Sequence, residues 1–167
     1  MESTVSRGLR LLFWIEAGLA TVAYAAVAGL LLLDVLSREI VGEAIWGAQK
    51  LAVFGAIVAA FLGLCLATAS NSHLRPQFTD TWFPRTWNPG IGRIGDLVSA
   101  AVFIFLGVIA LGYLSESIAN KERAAVLYVP LWPIQIVLPY AFFSSAFRHL
   151  AFAAYPDLKP QSRPEDT

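Results

Sequence analysis

The feature that most constrains this chain is a stretch without charged side chains, which runs from Leu51 to Ala69. A helix over these residues rises roughly 28 Å, which is close to the hydrocarbon thickness of a bilayer. Because lipid gives helices little hydrophobic reason to associate, small residues on one face favour close helix packing. Here small residues recur at every fourth position, at Gly55, Ala59, Gly63 and Ala67. The stretch therefore predicts a membrane-spanning helix that contacts other helices.

The composition agrees with an integral membrane protein. Of the 167 residues, 57% are hydrophobic and 14% are charged, and a chain this apolar is not typical of a soluble domain. The formal net charge is zero, so no overall basic character indicates a nucleic-acid partner. The single cysteine, Cys65, excludes an internal disulfide and a zinc site built on several thiolates. We expect no metal and no cofactor.

Three further apolar stretches accompany this helix. They run from Leu11 to Leu33, from about Gly95 to Ile118, and from near Val129 to about Phe147. In the last of them Pro139 is expected to kink the helix, because proline lacks an amide donor. The first span is expected to end in an acidic loop that contains Asp34, Arg38, Glu39 and Glu43. The predicted fold is an all-α integral membrane protein with four transmembrane helices.

The segment between the second and third spans, residues 76–94, has a different character. It combines tryptophans and arginines with prolines and glycines, which is typical of a segment at the membrane–water interface. A nucleic-acid stacking surface would need more positive charge than its few arginines provide. We predict a single four-helix transmembrane domain over residues 1–155 and a disordered cytoplasmic tail over residues 156–167.

The distribution of Lys and Arg predicts the orientation in the membrane. The N-terminal region, the second connection and the C-terminal region together carry eight, whereas the first and third connections carry four. Positive charge is enriched on the cytoplasmic side of bacterial membrane proteins. With four spans, both termini are therefore predicted to be cytoplasmic.

A charged side chain within a membrane helix is a functional hypothesis by default. Glu16 lies inside the first span and is expected either to reach the cytoplasmic interface or to pair with Arg148, with ion or proton translocation as the alternative. Asp96 opens the predicted third span, where a carboxylate favours the positive helix N-terminus. Glu116 lies near the end of that span, where a solvated structural role is expected.

Two histidines suggest a second class of function, because membrane histidines can ligate a haem. His73 and His149 are both predicted near the cytoplasmic face, each in a polar exit close to an arginine. The chain contains no glycine-rich phosphate loop, nucleophile elbow or run of metal ligands. We therefore predict no catalytic residues and no enzyme activity.

The second span and its flanks resemble a known family. The pattern W-x(4)-L…F-L-G-x(9)-H-L-R, which begins at Trp46 and ends at Arg75, is similar to the small membrane subunit of tripartite ATP-independent periplasmic (TRAP) transporters. Residues 129–132 and 138–139 also fit the family pattern, whereas Gln49 and Lys50 stand where acidic residues are common. The expected helix-packing or subunit interface consists of Trp46, Gly55, Ala59, Gly63, His73, Arg75, Pro130, Trp132 and Pro139.

The resemblance implies a non-catalytic subunit in the bacterial inner membrane. In this family the small subunit pairs with a large multispanning membrane subunit and braces it within the lipid bilayer. The large subunit takes up an organic acid or related solute, usually with a sodium gradient, from a periplasmic solute-binding protein. Two alternatives stay open: a redox anchor that holds haem between His73 and His149, and an independent small transporter that works as a homo-oligomer.

Overall fold

The computed structural model describes residues 2–70 and 88–158, with side chains described over 5–70 and 92–158. The helices are α1 Glu2–Ile40, α2 Ala48–Ala69, α3 Asn88–Ala119, α4 Trp132–Gln135 and α5 Val137–Ala154, followed by a 3₁₀ turn, Pro156–Leu158. Among the described residues, four helical segments are long and apolar enough to cross a membrane, the last formed by α4 and α5 together. The predicted all-α membrane fold is confirmed. Residues 76–87 of the predicted interfacial segment and 159–167 of the predicted tail lie outside the described residues.

The spans pack in the order first, second, fourth, third. Helix α1 packs against α2, α2 against α5, and α5 against α3. Close approach at the outer two contacts depends on glycines: a Cβ on Gly55 of α2 would lie 2.5 Å from Val27 Cγ2 of α1, and one on Gly107 of α3 would lie 2.9 Å from the Phe143 ring of α5. Helices α1 and α3 therefore form the two edges of the described arrangement.

Helix α1 is longer than the predicted first span. Its 39 residues rise about 58 Å, well beyond the ~30 Å of hydrocarbon that a bilayer offers. The expectation that Asp34, Arg38 and Glu39 lie in a loop is wrong, because all three are helical. The Arg38 Nη2 donates to Asp34 Oδ2 at 2.6 Å across one helical turn, and the backbone N–H of Ile45 donates to Asp34 Oδ1 at 2.8 Å. The Asp34 carboxylate thus connects the last turns of α1 to the loop that follows the helix.

The third and fourth spans also differ from the sequence-based boundaries. Helix α3 begins at Asn88 rather than near Gly95, with Pro89 in its first turn, where a missing amide donor costs nothing. The fourth span continues past Phe147 to Ala154. It does not end at the predicted polar exit, because the charged groups there are paired inside the protein.

The fourth span is interrupted at Ile136, between α4 and α5. Pro139 follows within one turn and has no N–H to donate to the carbonyl of Gln135. The next amide, of Tyr140, donates to the Ile136 carbonyl at 3.3 Å. The interruption thus lies on the N-terminal side of the proline that is predicted to kink this helix.

The connection between α3 and α4 is held in a strained conformation. Lys121, Val126 and Tyr128 have φ angles of 52°, 79° and 56°, a region that a β-branched residue such as Val126 rarely occupies. An antiparallel bridge pairs Arg123 with Pro130 at its base. The neighbouring loop meets it at Gly47, whose φ is 77° and whose added Cβ would lie 2.5 Å from a methyl group of Leu127.

Candidate functional site

A buried ion pair joins the first and fourth spans. Glu16 is fully buried, with 0% exposure, and Arg148 is 1% exposed. The Arg148 Nη2 donates to Glu16 Oε2 at 2.6 Å, and Nη1 approaches Oε1 at 3.3 Å. This bidentate geometry makes an arginine–carboxylate contact especially strong. Of the two roles expected for Glu16, pairing with Arg148 is confirmed.

Two hydroxyl groups complete the environment of this pair. Ser144 donates to Glu16 Oε1 at 2.7 Å and accepts from Arg148 Nη1 at 2.8 Å. Tyr140 donates to the same carboxylate oxygen at 3.0 Å. Buried charges are tolerated in apolar surroundings only when hydrogen bonds accompany the opposite charge. We call Glu16, Tyr140, Ser144 and Arg148 the Glu16–Arg148 cluster.

Helix α2 contacts α5 beside the cluster through further polar groups. Its Thr68 Oγ1 lies 3.2 Å from Ser145 Oγ of α5, and both residues are buried. One turn earlier, the Cys65 thiol lies 3.7 Å from the carbonyl oxygen of Ala141. Cys65 itself is 0% exposed, and a buried cysteine packs as a small apolar side chain. Polar contacts therefore join α1, α2 and α5 near one end of the spans.

A second buried pair joins α3 to α5. The Nδ1 atom of His149 lies 3.3 Å from Asp96 Oδ1, and the imidazole stacks on Phe103 with ring centroids 5.6 Å apart. Because α3 begins at Asn88, Asp96 lies two turns inside this helix and not at its N-terminus as expected. Its contact with His149 joins α3 to α5. His149 likewise lies inside a helix, and not in a polar exit. His73, the other predicted haem ligand, lies outside the described residues.

The hydroxyl groups of the cluster are absent from the residues predicted from the sequence. A signal was present, because Tyr140, Ser144 and Arg148 follow one another at intervals of four residues. Such spacing places side chains on one helix face. A polar face of this kind within an apolar span indicates a buried partner of opposite charge, which Glu16 provides. Glu116, in contrast, is exposed, as expected.

The predicted packing residues of α2 have different surroundings. Gly55 faces α1 directly, and Ala59 lines a shallow groove with residues of α1 that include Thr21 and Tyr24. A Cβ on Gly63 would have nothing within 4 Å. Within the described residues, α1 therefore covers Gly55 closely, whereas Gly63 faces open space.

The remaining predicted interface residues lie mostly at the ends of the spans. Trp46 is 71% exposed and Trp132 is 45% exposed, as is typical of tryptophans at a membrane–water interface. Pro130 is exposed beside its bridge to Arg123, whereas Pro139 is buried within α5. His73 and Arg75 lie outside the described residues.

The cluster is suited to holding helices together. Each charged group is matched by an opposite charge or by hydroxyl groups, and no set of three or more His, Cys, Asp and Glu side chains able to hold a metal occurs among the described residues. Breaking such a pair leaves an uncompensated charge in apolar surroundings. The ion pair therefore strongly favours one relative position of α1 and α5.

Comparison with known proteins identifies a family. The model of the family described as tripartite ATP-independent periplasmic transporters, DctQ component, matches residues 27–156. The match includes the second, third and fourth spans and the C-terminal part of the first, so it contains Arg148 but not Glu16. No curated protein matches the chain.

Proposed function

The chain belongs to the DctQ family of TRAP transporter components, and from this premise we propose that it braces the large membrane subunit while that subunit moves the solute. In this proposal the chain makes no contact with the solute. The transporter takes up an organic acid or a related solute across the bacterial inner membrane, with an ion gradient, usually of sodium, as the driving force.

The observation that carries this proposal is the internal pairing of buried charge. A site for an anionic solute needs cations or fixed donors that are free to bind it, because desolvating a charge without partners is costly. Arg148, the buried cation of the described spans, is already bound by Glu16 and Ser144. Asp96 and His149 contact each other. Neither Arg148 nor His149 can therefore bind an anionic solute without breaking its existing contact.

The outer surface of the spans supports a bracing role. Large apolar side chains are exposed along α3, among them Val102, Phe105 and Ile109. Membrane helices with apolar outer faces pack against lipid or against other helices. Because the described spans hold one another through buried polar contacts, such a surface can support a neighbouring subunit without itself changing shape.

The proposal is tested by competition uptake in vesicles that contain the complete transporter. Omitting this chain is expected to abolish uptake or reduce it sharply, whereas Glu16→Ala, His73→Ala and Arg148→Ala are expected to leave the order of solute preference unchanged. Total uptake is normalised to the amount of assembled complex, so that loss of assembly is not mistaken for a change in selectivity.

Three results would contradict the proposal. A substitution that reorders the preference among solutes would show that this chain lines the transport path. Solute flux through vesicles that contain this chain alone would favour an independent homo-oligomeric transporter. A visible haem spectrum from the purified chain would favour the redox anchor.

A further inference from the structure

A cavity of about 290 Å³ opens beside the Glu16–Arg148 cluster, at the end of the spans where α1 begins and α2 ends. It lies between the first and fourth spans and the end of the second. The residues that line it are Ser6, Leu9, Arg10, Phe13, Ala69, Arg148, Phe152 and Leu158. Nothing in the proposed bracing role requires a cavity here.

The cavity combines two kinds of surface. One face of α1 supplies Ser6 and Arg10, and the next turn of the same face supplies Phe13, because residues three, four and seven apart lie on one side of a helix. Opposite it, Phe152 of α5 and Leu158 of the following turn provide further apolar wall. A polar end next to apolar walls fits an amphiphilic ligand.

The charge of the cavity selects a negative headgroup. The Arg148 charge is matched by Glu16, so it adds little net potential. Arg10 is exposed, and within the described residues it has no acidic partner. From Arg10 to Glu16 the helix rises about 9 Å, so Arg10 lies nearer the end of the span than Glu16 does. Basic pockets between membrane helices bind anionic lipid headgroups in this way.

We propose that this cavity binds one anionic phospholipid, with the headgroup phosphate at Arg10 and an acyl chain along Phe13 and Phe152. A soluble anion such as phosphate would use Arg10 alone and would gain nothing from the apolar walls. The bound lipid would fill the space between the start of α1 and the end of α5. This inference is independent of the proposed bracing function, since it requires only that the spans lie in a bilayer.

The test is a lipid titration of the purified chain in a neutral detergent, where no charged bilayer adds a general attraction. Binding of phosphatidylglycerol, phosphatidylcholine and inorganic phosphate is compared by native mass spectrometry and by thermal unfolding. Phosphatidylglycerol is expected to bind and raise the melting temperature, and the other two are expected to do neither. Arg10→Gln should weaken phosphatidylglycerol binding about tenfold, as for the loss of one charge-assisted hydrogen bond.

Arg7→Gln is the matched control, because Arg7 is exposed on the same helix and does not line the cavity. It is expected to bind phosphatidylglycerol as the unaltered chain does. Equal losses for Arg7→Gln and Arg10→Gln would overturn the proposal in favour of general surface attraction. Equal binding of phosphatidylcholine, or an equal effect of phosphate, would overturn it as well. If Arg10→Gln does not fold, the comparison of ligands on the unaltered chain still decides the question.

Discussion

At the scale of single residues, the Glu16–Arg148 cluster is the feature that distinguishes this chain from a plain bundle of apolar helices. Its two charges come from opposite ends of the sequence, and each is buried. Forming such a pair contributes little net free energy, because both charges must leave water. Removing one partner is far more costly, since the other charge then stays buried without compensation.

Glu16→Gln keeps the shape of the side chain but removes its negative charge. The buried Arg148 guanidinium then has no opposite charge to balance it. We expect the free energy of unfolding in detergent to fall by about 3–5 kcal/mol, which is typical when one partner of a buried pair is removed. Glu116→Gln is the control, since Glu116 is exposed at the end of another span. Equal stability of the two variants would contradict this expectation, because it would show that leaving Arg148 without its partner costs nothing.

Tyr140→Phe removes one of the hydrogen bonds to Glu16 and leaves the ion pair in place. The expected loss of unfolding free energy is about 0.5–1.5 kcal/mol, the usual net value of a hydrogen bond. Tyr113→Phe serves as the comparison, because the Tyr113 hydroxyl accepts a longer contact, at 3.2 Å, from the Gln135 side chain. A loss as large for Tyr140→Phe as for Glu16→Gln would contradict this ranking.

At the scale of helices, glycines set how closely the spans approach. The small-residue face of α2 contains Gly55, which α1 covers, and Gly63, which no described residue covers. Two glycines of the same small-residue pattern therefore have different surroundings in the structure. We predict that Gly55 packs within the chain and that Gly63 packs against a partner.

Gly55→Leu is expected to destabilise the purified chain by about 1–3 kcal/mol, the usual cost of overpacking, because its Cβ alone would overlap a methyl group of Val27. Gly63→Leu is expected to leave the purified chain unchanged and to lower the yield of the complex with the large subunit. Thermal unfolding of the chain and affinity purification of the complex measure the two effects. If Gly63→Leu lowers neither, that face of α2 contacts lipid.

At the scale of the whole molecule, the chain is an arrangement of four spans whose edges are α1 and α3. Every described span packs on at least one other, and the outer faces are apolar. The orientation of this arrangement in the membrane stays a prediction, based on the eight-to-four distribution of Lys and Arg.

Cysteine labelling from outside the cell checks that orientation in a Cys65→Ala background. Single cysteines at Glu43 and Lys121 are expected to react with a membrane-impermeant reagent, because they lie in connections predicted to be periplasmic. Cysteines at Thr86 and Ser162 are expected to react only after the membrane is permeabilised. The reverse pattern would contradict the predicted topology.

The membrane environment, the number of spans and the family could all be predicted from the sequence. These depend on local properties: the length of apolar stretches must match the bilayer, and the motif residues lie close together along the chain. Arg148 could be named as a possible partner of Glu16 for a similar reason, since Glu16 is a charge inside an apolar span that needs an opposite charge.

Which helices meet, and where each helix ends, could not be predicted in this way and depends on the folded structure. The sequence predicts that Arg148 and His149 close the fourth span, yet the helix continues past them to Ala154. The physical reason is that the cost of a charge in a membrane depends on its partners, and Glu16 and Asp96 belong to distant helices. Likewise, the pattern of small residues on α2 does not show which of them another helix covers. Pairing and covering are properties of neighbours in space, so they become visible only when the helices are packed together.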